Sequence, residues 1–139
     1  MADTLVIIPA FNEEKNIANV IDRLTNTLND VDYVIVNDGS IDSTSKICRE
    51  RGFNIIDLPV NLGLAGAFQT GMKYAHKHGY KYAVQFDGDG QHRPEYIPEM
   101  RKKCEECDIV IVSRFVTKKK PFTPRMLGSR LIALAIKLS

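Results

Sequence analysis

Short apolar segments rich in β-branched residues alternate along this chain with segments whose apolar residues recur at helical spacing. The strand-like segments cover residues 4–8, 33–36, 54–58, 80–86 and 108–113. Helices that join consecutive strands leave neighbouring strands parallel and cover both faces of the sheet. The alternation therefore predicts an α/β fold with a mostly parallel sheet and helices on both faces. In such sheets ligands bind beyond the carboxyl ends of the strands.

Capping residues mark the expected starts of two helices. Asn12 can cap the first helix, and Glu13 and Glu14 would then lie in its first turn, where the helix dipole favours acidic residues. Ser40 or Asp42 is expected to cap the helix that follows the second strand.

The composition suits a soluble protein of a reducing compartment. The chain has 139 residues, of which 44% are hydrophobic and 26% charged, and its three cysteines are an odd number. Its longest purely apolar run, residues 131–136, is far shorter than the ~20 residues that span a bilayer. We therefore expect a cytoplasmic protein, with one domain over residues 1–124 and the start of an amphipathic helix over 125–139.

Basic residues are concentrated at the carboxyl end. From Ile109 onward there are seven basic residues and no acidic one, although the formal net charge of the chain is only +2. This asymmetry predicts an anionic partner at that end. A membrane surface is an anionic partner of this kind, and the apolar residues near the end of the chain could enter it. Burial of these apolar residues as a helix in the protein core is an equal alternative. Nucleic acid is not expected as a partner, because no aromatic residues alternate with the basic ones.

Two carboxylates follow the fourth expected strand. Asp87 and Asp89 stand one residue apart, and such a pair can bind one Mg²⁺ or Mn²⁺ that keeps sites for water and phosphate oxygens. Gln91 and His92 lie close enough in sequence to complete the ligand set. The alternative is an ordinary polar turn in which Gly88 and Gly90 supply backbone freedom. Neither the glycine-rich dinucleotide motif nor the P-loop motif occurs in the chain.

Other strand ends also carry polar residues. Glu14 and Asp38 can accept hydrogen bonds from base N–H and ribose hydroxyl groups. The loop 61–66, with Asn61 and Gly66, can let the backbone approach a diphosphate. The alternatives are structural: Glu14 complements a helix dipole, Asp38 caps a turn, and glycine-containing loops are common.

Four motifs, in order along the chain, resemble family 2 glycosyltransferases of the GT-A fold. They are Pro-Ala-Phe-Asn-Glu-Glu at 9–14, Val-Asn-Asp-Gly-Ser-Ile-Asp-Ser-Thr at 36–44, Asn-Leu-Gly at 61–63 and Asp-Gly-Asp-Gly-Gln-His at 87–92. Residues 86–95, followed by Ser-Arg-Phe at 113–115, look most like the branch that glycosylates polyprenyl phosphates, to which dolichol-phosphate mannose synthases belong.

The resemblance implies a role for individual residues. A site for a UDP- or GDP-sugar is implied at Pro9, Ala10, Asn12, Glu14, Asp38, Gly39, Asn61, Gly66, Asp87 and Gly88. Ligands of Mg²⁺ or Mn²⁺ are implied at Asp87, Asp89 and Gln91. A grip on the acceptor phosphate is implied at Arg114, Arg125 and Ser129, and the implied catalytic residues are Asp89 and Arg114. Family members normally continue well past Ser139, so the resemblance implies a truncated chain.

The implied reaction is an inverting transfer of a sugar from a nucleoside diphosphate sugar to undecaprenyl or dolichyl phosphate, at the inner face of the cell membrane. The residues favour this acceptor, because a phosphate is mostly ionised at neutral pH and needs no base. The stretch after Asp108 offers cations and no carboxylate. The alternatives are transfer to a saccharide hydroxyl in polysaccharide assembly, a nucleotidyltransferase, and a form that binds nucleotide sugar without turnover.

Overall fold

A computed structural model of the chain describes residues 2–90 and 92–112. Its strands are β1 (Thr4–Ala10), β2 (Asp32–Asn37), β3 (Ile55–Asp57) and β4 (Tyr82–Gln85). Its helices are α1 (Ile17–Thr27), α2 (Thr44–Glu50), α3 (Gly63–Lys77) and α4 (Ile97–Lys103), and a 3₁₀ turn (Pro94–Tyr96) precedes α4. All of these elements belong to one compact unit, Met1–Asp108.

The four strands form a parallel sheet in the order β3-β2-β1-β4. β1 pairs with β2 on one side and with β4 on the other, and β3 pairs with β2. Leu5 and Ile8 of β1, and the two residues between them, have no exposed surface. Burial on both faces is expected of a central strand in a parallel sheet. The predicted parallel sheet is confirmed.

Helices cover both faces of this sheet. Successive side chains of a strand point to opposite faces. On one face Val6 and Ile8 belong to an apolar cluster with buried residues of α1, α2 and α4. On the other face Leu5 and Ile7 cluster with buried alanines of α3. The predicted α/β fold class is therefore confirmed.

α3 packs so closely on β1 that Gly71 has no room for a side chain. A Cβ at this position would lie 2.2 Å from Cγ2 of Ile7, which is fully buried. Alanine is the better helix former by about 1 kcal/mol. We nevertheless expect Gly71→Ala to lower the free energy of unfolding by about 1–3 kcal/mol, because the enclosed Ile7 would have to shift. Chemical denaturation measures the change, and a more stable variant would contradict the close packing.

α1 begins later than the sequence predicts. Its first residue is Ile17, and its first turn has no acidic residue, so the prediction that Asn12 caps this helix is wrong. Asn12 has a left-handed φ of 56°. Its side-chain oxygen accepts a hydrogen bond from the N–H of Ile41, at 3.0 Å, in the loop after β2. A bond to another loop thus takes the place of the local cap.

The fifth strand was predicted over residues 108–113. Residues 108–112 form no strand, and Ser113 lies outside the described residues. A strand requires a ladder of hydrogen bonds to a neighbour, and within the described residues β4 has only β1 as its partner.

Residues 109–139 form a second unit, and the predicted boundary after residue 124 lies outside the described part. None of the described helices is long and apolar enough to cross a membrane.

Candidate functional site

The segments that follow the strands meet at the carboxyl edge of the sheet. Gly88, in the turn after β4, is buried against the end of β1. A Cβ on Gly88 would lie 3.2 Å from the carbonyl oxygen of Pro9 and 3.8 Å from Cβ of Ala10. Gly39, after β2, has a φ of 70°, and its Cβ would lie 2.8 Å from the backbone nitrogen of Asn61. This edge includes the position between β1 and β4 where the strand order reverses, which is where α/β sheets bind ligands.

The loops after β1 and β2 are joined by hydrogen bonds in both directions. The N–H of Asn12 donates to Ser40 Oγ at 2.9 Å, and the N–H of Ile41 donates to Asn12 Oδ1. The N–H of Glu13 donates to Oγ1 of Thr44, at 2.9 Å, and Thr44 is fully buried. These bonds satisfy backbone groups that the late start of α1 leaves without helical partners. The two loops therefore form one connected surface.

Glu14 and Asp42 exchange hydrogen bonds across the same pair of loops. The N–H of Glu14 donates to Asp42 Oδ2 at 3.1 Å, and the N–H of Ser43 donates to Glu14 Oε2 at 3.0 Å. Burial alone would raise the pKa of Asp42, but hydrogen bonds from Thr44 and from the N–H of Glu14 hold the pKa below its ordinary value. Glu14 therefore has a structural role, but not the expected alternative of complementing the dipole of its own helix. Its exposed carboxylate binds the backbone before α2 rather than the start of its own helix.

Asp38 connects the ends of β1 and β2 with the loop before α3. It is only 3% exposed, and its N–H donates to the carbonyl oxygen of Ala10 at 2.8 Å. Its Oδ1 accepts a hydrogen bond from the N–H of Leu62 at 2.7 Å, just before α3. Asp38 therefore fixes a turn, as its structural alternative states, and also places a carboxylate at the carboxyl edge.

Asp87 is held by two neighbouring side chains. Nε2 of Gln85 donates to Asp87 Oδ1, and Nε2 of His92 lies 3.3 Å from Asp87 Oδ2. The N–H of Asp87 donates to Nδ1 of His92 at 3.2 Å. In this arrangement Nδ1 of His92 accepts a hydrogen bond and Nε2 faces the carboxylate as a donor. His92 therefore orients the Asp87 carboxylate, as outer groups commonly orient metal ligands.

The donor set around Asp87 and Asp89 fits an open cation site. Among residues 2–90 and 92–112, no three His, Cys, Asp or Glu side chains lie close enough together to hold a metal ion. A closed protein cage is therefore not formed by these residues. Mg²⁺ commonly binds through one or two carboxylates together with phosphate oxygens and water. Two carboxylates on a turn at the ligand-binding edge suit that kind of site.

Most of the predicted nucleotide-binding residues lie at this edge. They are Pro9, Ala10, Asn12, Glu14, Asp38, Gly39, Asn61, Asp87 and Gly88. Gly66 instead lies within α3, where its Cβ would be 2.5 Å from Cβ of Leu62, so the predicted glycine loop 61–66 ends at Leu62. Four predicted site residues lie outside the described residues, and their roles stay predictions. They are Gln91, Arg114, Arg125 and Ser129.

Sequence reasoning missed three residues that support this edge. Asn37 and Asp57 end β2 and β3, and Thr44 begins α2. Asn37 Nδ2 donates to Asp57 Oδ1 at 2.7 Å. Thr44 Oγ1 accepts a hydrogen bond from the N–H of Glu13, in the loop after β1. The available signals were the position of Asn37 and Asp57 beside the ends of predicted strands and the place of Thr44 at the end of the motif at 36–44.

An α/β sheet with linked loops and a carboxylate pair at its carboxyl edge is typical of proteins that bind nucleotides beyond their strand ends. The model of glycosyl transferase family 2 matches residues 5–134. The chain therefore belongs to that family, which confirms the resemblance of its motifs.

Two curated relatives are named as transferases that act on polyprenyl phosphates. The UDP-N-acetylglucosamine–dolichyl-phosphate N-acetylglucosaminyltransferase of Methanococcus voltae is 40% identical over an alignment of length 119, and the match covers 72% of this chain and 47% of the relative. The undecaprenyl-phosphate mannosyltransferase of Micrococcus luteus is 30% identical over an alignment of length 117, and the match covers 81% of this chain and 48% of the relative. The chain thus spans about half the length of these relatives.

A solved structure shares the fold. Glucosyl-3-phosphoglycerate synthase from Mycobacterium tuberculosis, in complex with Mn²⁺, uridine diphosphate and glucosyl-3-phosphoglycerate, matches with a TM-score of 0.59 and 24% identity. The match covers 71% of this chain and 38% of that one. The predicted GT-A fold is confirmed by this likeness.

Proposed function

We propose that this chain forms the nucleotide-sugar-binding part of a glycosyltransferase that moves a sugar from a nucleoside diphosphate sugar to a polyprenyl phosphate. The observation that carries the proposal is the burial of Gly88 against the end of β1, which brings the turn 87–89 to the edge where the loops after β1 and β2 are joined. Membership of family 2 supports sugar transfer. The names of two relatives support the lipid phosphate acceptor.

The nucleoside part of the donor binds across the ends of β1 and β2. Glu14 and Asp38 supply carboxylate oxygens there, which accept hydrogen bonds from base N–H and ribose hydroxyl groups. Pro9 and Ala10 are buried at the end of β1 and form the floor of this edge. Uracil and guanine both offer N–H donors, so the proposal covers UDP-sugars and GDP-sugars.

Asp87 and Asp89 would hold Mg²⁺ or Mn²⁺, a Lewis acid that neutralises the diphosphate as it leaves. His92 keeps the Asp87 carboxylate in place, through the 3.3 Å contact between Nε2 and Oδ2. Gly88 allows the turn to pass close to the carbonyl oxygen of Pro9, so both carboxylates stay near the nucleoside site.

The acceptor phosphate attacks the anomeric carbon of the sugar on the side opposite to the diphosphate. A new bond forms between the phosphate oxygen and this carbon, the bond to the diphosphate breaks, and the configuration inverts. A phosphate monoester is mostly ionised at neutral pH, since its second pKa is about 6, so no base is required. Arg114, Arg125 and Ser129 are proposed to position the phosphate. The basic residues from Ile109 onward are proposed to bind the inner face of the membrane that contains the acceptor.

Calorimetric titration tests the donor site. UDP, GDP, UDP-glucose and GDP-mannose are each titrated into the 139-residue chain, once with Mn²⁺ and once with a chelator. We expect one nucleotide class to bind, and to bind more tightly with Mn²⁺. Absence of binding by all four, in a chain shown to be folded, would contradict the proposal.

A transfer assay then tests the acceptor. The chain is incubated with the bound donor and either polyprenyl phosphate in vesicles or a soluble saccharide. Transfer to the lipid phosphate is expected. Transfer to the saccharide alone would favour polysaccharide assembly, and binding without either transfer would mean that this chain binds the donor without turnover.

A further inference from the structure

A continuous chain of hydrogen bonds runs from the loop after β1 to the end of β3. The N–H of Asn12 donates to Ser40 Oγ at 2.9 Å, and the Ser40 hydroxyl donates to Asn37 Oδ1. Nδ2 of Asn37 donates in turn to Asp57 Oδ1 at 2.7 Å. Each donor in this chain points toward Asp57.

The direction of the chain depends on the carboxylate of Asp57. An ionised carboxylate only accepts hydrogen bonds, whereas an amide and a hydroxyl both donate and accept. Because Asp57 takes the Nδ2 of Asn37, the amide presents its oxygen to Ser40. The Ser40 hydroxyl then donates to that oxygen and keeps a lone pair for the N–H of Asn12.

The surroundings of Asp57 keep its carboxylate ionised. Ser45 Oγ donates to Asp57 Oδ2 at 3.0 Å, and Arg49 forms an ion pair with the same oxygen. Burial alone would raise the pKa of Asp57, but hydrogen bonds from Asn37, Ser45 and Arg49 hold the pKa below its ordinary value. Asn37 is only 3% exposed, so a reversed amide would leave buried polar groups unpaired.

We propose that Asp57 is a positioning residue of the nucleotide site, acting through Asn37 and Ser40 on the loop that begins at Asn12. This inference rests on the proposed function, because the loop matters here as part of the nucleotide site. Asn12 has a φ of 56°, a conformation that a non-glycine residue keeps only when its surroundings fix it. The bond from its N–H to Ser40 is one of the contacts that fix it. Loss of Asp57 therefore weakens nucleotide binding, raises the KM for the donor, and leaves kcat nearly unchanged.

A double-mutant cycle on the full 139-residue chain tests the proposal. Asp57→Ala, Ser40→Ala and the double variant are titrated with Mn²⁺ and the nucleotide, UDP or GDP, that the unaltered chain binds. We expect each single change to weaken binding about tenfold, the loss of one well-placed hydrogen bond. The double change is expected to cost about tenfold as well, because both substitutions interrupt the same chain. Additive losses, or affinities equal to that of the unaltered chain, would overturn the proposal.

Two further variants separate positioning from simple stabilisation. Arg49→Met removes the ion pair with Asp57 and leaves the bond to Asn37, so we expect a lower melting temperature and a nucleotide affinity within about twofold. Asp57→Asn keeps an acceptor oxygen and is expected to recover most of the affinity lost in Asp57→Ala. If Arg49→Met weakens binding as much as Asp57→Ala, anchoring of α2 explains the effect and the proposal fails.

Thermal unfolding of every variant confirms that it is folded at the titration temperature. If Asp57→Ala is unfolded there, Ser40→Ala and Asp57→Asn carry the test, and an unchanged affinity in Ser40→Ala overturns the proposal. An unaltered chain that binds no nucleotide would overturn the proposed function together with this inference. An unaltered chain that binds normally, with variants that bind equally well, overturns this inference alone.

Discussion

Replacing Asp89 with alanine is expected to abolish the dependence of nucleotide binding on Mn²⁺ and to reduce sugar transfer by at least about 100-fold. The proposed cation site has two carboxylates, Asp87 and Asp89, and no third His, Cys, Asp or Glu among residues 2–90 and 92–112 completes a metal cluster with them, so removal of Asp89 would leave Asp87 as the only charged ligand proposed there. A cation held at a leaving diphosphate contributes several kcal/mol, and each 1.4 kcal/mol corresponds to about tenfold. Titration of the nucleotide with Mn²⁺, with Mg²⁺ and with a chelator measures the effect.

A matched control removes a different carboxylate from the same unit. Glu99 is an exposed residue of α4, and Glu99→Gln removes one negative charge, as Asp89→Ala does. We expect this control to leave nucleotide affinity unchanged. Asp89→Asn keeps one oxygen ligand without the charge and is expected to fall between alanine and the unaltered chain. An Asp89→Ala variant whose nucleotide affinity still rises with Mn²⁺ as much as that of the unaltered chain would show that Asp89 is not a metal ligand.

The elements that the sequence predicted well are those that depend on local pattern. β1 is a continuous apolar run, and a run of this kind is buried on both faces of a parallel sheet. The apolar stripe of α1 likewise faces the core at Ile17, Val20, Ile21 and Leu24. Both predictions needed only the periodicity of side chains within one element.

Two of the predictions that failed concern where a helix begins, and that of Asn12 depends on a contact between distant segments. Asn12 has the chemistry of a helix cap, yet its side chain bonds to Ile41, which lies 29 residues away. Gly66 was expected in a loop, yet α3 begins at Gly63 and includes it. Cap and loop preferences are worth about 1 kcal/mol, so a few bonds between loops can override them.

The candidate site likewise contains residues that the local sequence identifies and residues that only the folded structure identifies. Asp87 and Asp89 were identified from their spacing and their position after a strand, and these are properties of the sequence. Asp57 stands equally near a strand end, but the role proposed for it depends on the amide of Asn37, which lies 20 residues away in the chain. Hydrogen bonds between strand ends become visible only when the order of the strands and the course of the loops are known.

Replacing Gly39 with alanine is expected to lower the free energy of unfolding by about 2–4 kcal/mol and to weaken nucleotide binding. Gly39 has a φ of 70°, and a Cβ there would lie 2.8 Å from the backbone nitrogen of Asn61 and 3.0 Å from the carbonyl carbon of Val60. Backbone atoms cannot turn away as a flexible side chain can, so the loop before α3 must move. That loop contains Leu62, whose N–H binds Asp38 Oδ1, and its displacement disturbs the carboxylate proposed to bind the nucleoside.

Gly52 provides the matched control, because it has nearly the same φ, 67°, and a Cβ there would meet no heavy atom within 4 Å. Gly52→Ala therefore carries the backbone strain without the close contact, and we expect a loss of about 1 kcal/mol with unchanged nucleotide affinity. The difference between the two variants, measured by chemical denaturation and by nucleotide titration, isolates the contact between the turn after β2 and the loop before α3. Equal losses of stability in the two variants, with equal affinities, would show that this close approach does not hold Asp38 in place.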